Sequence, residues 1–135
     1  MTEENKTQSF KKVLLIDDNE VDNFINKKII EREQFAEETE VYEDSFEALQ
    51  KLQEASENGE SLPDIIFLDI NMPGMEGFEF LDEYKKLKEG SSKPCKVVML
   101  TSSINPEDRK KAENHPCILK FISKPLKKEH LKEMI

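Results

Sequence analysis

The prediction of the fold starts from residues 64–74, Asp64-Ile65-Ile66-Phe67-Leu68-Asp69-Ile70-Asn71-Met72-Pro73-Gly74. Its apolar run, from Ile65 to Leu68, has no polar alternation, which is typical of a strand buried on both faces of a parallel sheet. One acid, Asp69, follows the run, and Pro73 and Gly74 then break regular structure. Because open α/β sheets bind ligands at the carboxyl ends of their strands, Asp69 stands where chemistry is expected.

Strand-like runs alternate with helical patterns on both sides of this stretch. Further strands are predicted at 13–16, 40–42, 97–100 and 118–122, and helices at 20–33, 45–57, 77–89, 105–114 and 127–135. The first helix carries an apolar stripe at Val21, Phe24, Ile25 and Ile29, and Ser45 is expected to cap the second. Five alternations predict an α/β fold with a doubly wound parallel sheet and helices on both faces. This number of units favours the flavodoxin-like strand order 2-1-3-4-5.

Composition limits the classes of partner. A chain of 135 residues predicts one domain, here residues 10–135, after a disordered lead at 1–9. The net charge of −9 argues against non-specific binding to nucleic acid or to anionic membranes. The polar N-terminus has no signal-peptide core. Cys95 and Cys117 lack metal-ligand spacing, and we interpret them as reduced thiols. We therefore expect a cytoplasmic protein with neither a nucleic acid nor a membrane as partner.

Polar side chains follow four of the predicted strands. They are Asp17 and Asp18 after the first, Asp69 after the third, Thr101 after the fourth and Lys124 after the fifth. In the order 2-1-3-4-5 these side chains converge on one edge of the sheet. Three clustered acids repel one another, so we expect a hard divalent cation among them, Mg²⁺ or Mn²⁺. A metal-bound carboxylate beside a lysine and a hydroxyl is suited to attack phosphorus, which would give an aspartyl phosphate.

Four motifs, in order along the chain, carry a resemblance to a known family. They are the segments 13–19 (VLLIDDN), 68–78 (LDINMPGMEGF) and 100–102 (LTS), and the pair Lys124-Pro125. With these motifs the chain resembles a response-regulator receiver domain of two-component signalling, over roughly residues 10–135. The resemblance also implies the flavodoxin-like strand order.

The resemblance implies a role for each matching residue. Asp69 would be the phosphoacceptor, and Asp17 and Asp18 would hold the metal together with the backbone carbonyl of Asn71. Thr101 and Lys124 would bind the phosphoryl oxygens, and the Lys124-Pro125 peptide would be cis. Phe121 would take the position of the family's switch aromatic, as a phenylalanine without the hydroxyl of the more usual tyrosine.

The function expected from the resemblance is that of a phosphoacceptor signalling domain. Its donor would be a phosphohistidine on a sensor histidine kinase or a histidine phosphotransfer protein. No enzyme activity is expected beyond self-catalysed phosphoryl transfer and autodephosphorylation. Since the sequence ends about one helix after Lys124, we expect a stand-alone domain whose output lies in a downstream protein. That protein would dock on the face of the fourth helix, fifth strand and fifth helix, or Asp69 would relay its phosphoryl group onward.

Three alternatives fit the residues less well. A haloacid-dehalogenase-like phosphatase uses Asp-x-Asp after its first strand, whereas here the acid follows the third strand and Asn71 cannot act as acid or base. A flavodoxin-like cofactor binder needs a first loop rich in Ser, Thr and Gly, and the loop 17–19 would repel phosphate. A phosphorylation-independent interaction module usually lacks part of the acidic site, which is complete in this sequence.

Overall fold

The computed structural model describes residues 10–70, 77–88, 96–102 and 105–134. Its elements are β1 (Phe10–Ile16), α1 (Glu20–Arg32), β2 (Ala36–Tyr42), α2 (Ser45–Glu57), β3 (Ile65–Leu68), α3 (Gly77–Lys88), β4 (Val97–Thr101), α4 (Pro106–Asn114), β5 (Ile118–Ser123) and α5 (Lys128–Glu133). The predicted lead at residues 1–9 and Asn71 lie outside the described residues.

The sheet is parallel throughout and has the order β2-β1-β3-β4-β5, which confirms the predicted fold class. β1 pairs with β3 in a register that sets Ile16 opposite Leu68. β4 lies on the other side of β3, with Met99 opposite Leu68. The residues that follow β1, β3 and β4 therefore meet at the same edge of the sheet.

Helices cover both faces of the sheet, and alternate strand residues pack on opposite sides. Leu14, Ile16 and their neighbours on the same face pack against α2, α3 and α4. Val13 and Leu15 belong to the second apolar cluster, with α1 and α5. Every residue of β3 is buried, which explains why its apolar run is unbroken. Burying each such side chain contributes about 1.5–3 kcal/mol, so the central strand is a rigid base for Asp69.

The orientation of α1 differs from the usual pattern, in which an apolar stripe faces the core. Val21, Phe24 and Ile25 are 64%, 63% and 44% exposed, whereas Asn23 and Asn26 are buried. The side-chain Nδ2 of Asn23 donates a hydrogen bond of 2.7 Å to the backbone oxygen of Asp17. This bond offsets part of the cost of burying the Asn23 amide, and it holds that side chain towards the sheet.

Some element ends also differ from the predicted ones. β2 begins at Ala36 rather than at residue 40, because Phe10 extends β1 and pairs with Ala36. The N-cap of α2 is Asp44 rather than Ser45: its Oδ1 accepts a hydrogen bond of 2.8 Å from the N–H of Phe46. The described helices have 6 to 13 residues, and none of them is both long enough and apolar enough to cross a membrane.

Candidate functional site

Three carboxylates form one cluster at the edge of the sheet. Oxygen atoms of Asp17, Asp18 and Asp69 all lie within 4.8 Å of one another. The N–H of Asp69 donates to the carbonyl of Ile16 (3.1 Å), which holds the ends of β1 and β3 side by side. Asp17 and Asp69 are buried and Asp18 is exposed, so the cluster opens to solvent on the side of Asp18.

The turn from β1 into α1 fixes the position of Asp17. Its Oδ1 accepts a hydrogen bond of 2.9 Å from the N–H of Asn19. Asn19 in turn caps α1, since its Oδ1 accepts a 3.0 Å bond from the N–H of Asp22. With Asn23 bound to the carbonyl of Asp17, the turn is held through both the side chain and the backbone of this acid.

Gly77, the first residue of α3, packs directly on the backbone at the end of β3. A Cβ atom at this position would lie 2.9 Å from the carbonyl oxygen of Asp69 and 2.9 Å from the Cα of Ile70. The N–H of Gly77 donates to the carbonyl of Ile70 at 3.0 Å. Only glycine leaves room for this contact, which limits movement of the backbone that carries Asp69.

Lys124 brings a positive charge into the acidic cluster from β5. Its Nζ lies 2.6 Å from Oδ2 of Asp17, 2.8 Å from Oδ2 of Asp22 and 3.3 Å from Oδ2 of Asp69. The N–H of Lys124 donates to the carbonyl of Thr101 at 2.8 Å, and the Lys124-Pro125 peptide is cis. Thr101 is fully buried at the end of β4. The structure thus brings Asp17, Asp18, Asp69 and Lys124 together, with Thr101 bonded to Lys124 through the backbone.

Burial and charge act in opposite directions in this cluster. Burial raises the pKa of Asp17 above its usual value, against the hydrogen bonds from Lys124 and Asn19 that lower it. Burial alone would lower the pKa of Lys124, but its hydrogen bonds with Asp17 and Asp22 and the charge of Asp69 raise it. The lysine therefore remains a cation at neutral pH. One ammonium does not balance four nearby carboxylates, and their oxygen atoms are ligands that Mg²⁺ and Mn²⁺ prefer.

Phe121 lies on β5, and β4 separates it from β3, the strand that Asp69 follows. It pairs with Met99 of β4 and packs, half-buried, against the apolar cluster that contains α2, α3 and α4. The guanidinium carbon of Arg109 on α4 lies 5.4 Å from the centre of its ring, within the range of a cation–π contact. The ring thus connects β5 with α4, three residues before Lys124.

Asp22 was not predicted from the sequence, although it lies closer to the ammonium of Lys124 than Asp69 does. An acid in the first turn of a helix ordinarily serves the helix dipole, and this role hid the other. No local spacing points to this contact, because its partner Lys124 lies 102 residues further along the chain.

Comparisons with known proteins agree with this geometry. A family model described as response regulator receiver domain matches residues 13–135. The crystal structure of a two component response regulator from Cytophaga hutchinsonii has 35% identity and a TM-score of 0.82, covering 93% of this chain and 94% of that one. The probable methanogenesis regulatory protein FilR2 of Methanothrix harundinacea is 32% identical over 124 residues, or 91% of this chain and 77% of that protein.

A third relative was solved in a complex. The CheX-CheY-BeF3-Mg+2 complex from Borrelia burgdorferi contains a chain with 25% identity and a TM-score of 0.71, and the match covers 91% of this chain and 84% of that one. Other relatives are much longer: this chain spans 8% to 10% of the length of the histidine kinases that it matches.

Proposed function

This chain belongs to the response regulator receiver domain family, and from that membership we propose that Asp69 accepts a phosphoryl group from a phosphohistidine. The donor would be a sensor histidine kinase or a histidine phosphotransfer protein. The observation that carries the proposal is the position of Asp69, buried at the end of β3 with an ammonium 3.3 Å from its carboxylate and two further acids beside it.

The transfer exchanges one bond to phosphorus for another. A carboxylate oxygen of Asp69 attacks the phosphorus while the phosphorus–nitrogen bond of the phosphohistidine breaks. The imidazole nitrogen leaves with the electron pair of that bond and is reprotonated from solvent. Lys124 would neutralise charge on one phosphoryl oxygen, and the hydroxyl of Thr101 would donate a hydrogen bond to another.

The acid cluster has the ligands to hold a divalent metal for this step. Mg²⁺ or Mn²⁺, held by Asp17, Asp18, Asp69 and the backbone carbonyl of Asn71, would supply positive charge beside the phosphoryl oxygens. The support from this chain is the set of three carboxylates within 4.8 Å, all of them hard oxygen donors. The relative from Borrelia burgdorferi, whose complex contains beryllofluoride and magnesium, supports the same choice of ion.

The domain would act as a signalling component and not as an enzyme with a separate substrate. Its only chemistry would be its own phosphorylation and autodephosphorylation. A haloacid-dehalogenase-like phosphatase would require an acid two residues after the nucleophile, where this chain has Asn71.

The conformational signal from a phosphorylated Asp69 would be transmitted through β5. A phosphoryl group bound by Thr101 and Lys124 would draw the ends of β4 and β5 towards Asp69 and so change the balance between two positions of Phe121. The contact between Phe121 and Arg109 carries that change to α4. A downstream protein would then dock on the face of α4, β5 and α5; the alternative output is onward transfer of the phosphoryl group in a relay.

The experiment measures intact mass after incubation with acetyl phosphate and Mg²⁺. We expect the wild-type protein to gain one phosphoryl group and Asp69→Asn to gain none. The matched control is Asp64→Asn, at the other end of the same strand, where the side chain accepts hydrogen bonds from the N–H groups of Lys11 and Lys12 (2.8 and 3.2 Å). This variant should gain the same mass as the wild type. An unchanged wild-type mass, or an equal gain in Asp69→Asn, would overturn the proposal.

A further inference from the structure

We propose that Asp22 is a positioning residue that competes with the phosphoryl group on Asp69 for the ammonium of Lys124. The inference rests on the proposed function. Its starting point is a pair of distances: Nζ of Lys124 lies 2.8 Å from Oδ2 of Asp22 but 3.3 Å from Oδ2 of Asp69. The lysine is therefore held more closely by α1 than by the acceptor on β3.

The position of Asp22 is fixed by its own helix. Its N–H is bonded to Oδ1 of Asn19 in the N-cap of α1, so its backbone cannot follow the lysine elsewhere. The side chain is 35% exposed and stands outside the cluster that Asp17, Asp18 and Asp69 form. Asp22 thus acts on the site indirectly, through its contact with Lys124.

The number of hydrogen-bond donors makes the competition direct. An ammonium group has three N–H donors, and Lys124 faces three carboxylates within 3.3 Å. A phosphoryl oxygen can gain a hydrogen bond from this lysine only when a carboxylate gives one up or shares it. The negative charge of Asp22 also repels the negative charge of the phosphoryl group.

The same charge has the opposite effect on a metal ion. Asp22 adds to the negative potential that attracts a divalent cation to the cluster. At 2.8 Å it also engages part of the charge of Lys124 that Asp17 and Asp69 would otherwise share, so that less positive charge opposes the cation. Removing the charge of Asp22 should therefore weaken the binding of Mg²⁺ and strengthen the binding of a phosphoryl group.

The test compares Asp22→Asn with the wild type in two binding measurements. Calorimetric titration gives the affinity for Mg²⁺, and ¹⁹F NMR at saturating Mg²⁺ gives the affinity for beryllofluoride, a tetrahedral stand-in for the phosphoryl group. For a partly exposed charge, we expect Mg²⁺ to bind about threefold to tenfold more weakly and beryllofluoride to bind tighter by a similar factor. Asp22→Glu keeps the charge and should return both affinities towards those of the wild type.

Glu31→Gln is the matched control, because it removes the same charge from the other end of the same helix. It should change neither affinity. If Asp22 served only to stabilise α1, Asp22→Asn would lower the melting temperature and weaken both ligands together. Beryllofluoride that binds Asp22→Asn equally or more weakly than the wild type would overturn the inference. Failure of the wild type to bind either ligand would instead overturn the proposed function, and the inference with it.

Discussion

Replacing Asp17 by asparagine should raise the free energy of unfolding of the metal-free protein, although it removes one partner of Lys124. Asp17 is 4% exposed, and its pKa is raised because burial outweighs its hydrogen bonds with Lys124 and Asn19. A carboxylate with a raised pKa costs the folded state free energy whenever it is ionised, as it is at neutral pH. Asparagine has the same shape and can still accept the hydrogen bond from the N–H of Asn19.

The magnitude follows from the distances in the cluster. At an effective dielectric constant of about 20, each of the two acids within 4.8 Å of Asp17 repels it by roughly 3.5 kcal/mol. Lys124 at 2.6 Å attracts it by about 6 kcal/mol on the same scale. Because repulsion and attraction nearly cancel, the cost of burying the charge remains. We expect a gain of about 1–2 kcal/mol, or about 3–6 °C in melting temperature.

Thermal melts of both proteins, with EDTA and with millimolar Mg²⁺, test this reasoning. Mg²⁺ should stabilise the wild type through binding to the folded site, and should stabilise Asp17→Asn less because one ligand is lost. Glu31→Gln, which changes the net charge equally but lies far along α1, controls for the overall charge of −9. A lower melting temperature for Asp17→Asn in EDTA, with equal shifts in Mg²⁺, would show that the three acids do not form one metal site.

Three further substitutions probe the switch, the packing and the surface charge. Lys124→Ala should still be phosphorylated to some extent, but the phosphoryl group should no longer be coupled to β5. Amide exchange in α4, β5 and α5 should therefore change on phosphorylation only in the wild type, and equal changes in both proteins would refute the coupling. Gly77→Ala should lower the free energy of unfolding by about 1–3 kcal/mol and slow phosphorylation, because its Cβ would meet backbone atoms at 2.9 Å; an unchanged denaturant midpoint and rate would contradict this. Glu133→Gln should destabilise slightly at neutral pH, since the hydrogen bond from Lys120 lowers the pKa of Glu133 below 4.5. That stabilisation is present above pH 4.5 and is lost as pH falls through the lowered pKa, so a difference from the wild type that persists at pH 2 would argue against the pair.

The sheet and the acids could be predicted from the sequence because both follow from short-range patterns. An unbroken apolar run such as Ile65 to Leu68 indicates a strand buried on both faces, and parallel strands bring their carboxyl ends to one edge. The strand order came from the number of alternating units and from the family resemblance, and with that order the meeting of Asp17 and Asp69 follows. The length of β2 could not be found this way, because it depends on Phe10, which pairs with it from the start of β1.

The orientation of α1 could not be predicted from the hydropathy pattern, for a different reason. Hydropathy assigns asparagine to the solvent side of a helix, and only a specific partner reverses that preference. Asn23 finds its partner in a backbone carbonyl six residues earlier, a contact that no periodicity reveals. In the same way, the pairing of Asp22 with Lys124 joins residues that are 102 positions apart.

These contacts join residues that are far apart in the sequence, which has a consequence for when the site forms during folding. Lys124 is 55 residues from Asp69 and 102 from Asp22, and it directly follows β5, the fifth strand along the chain. A nascent chain would therefore carry its acids for some time without the ammonium that balances them. Closing so long a stretch of chain costs entropy that local structure cannot offset. The acids thus lack their ammonium in any partly folded molecule whose β5 has not yet paired with β4, so the charge balance of the site depends on completion of the sheet.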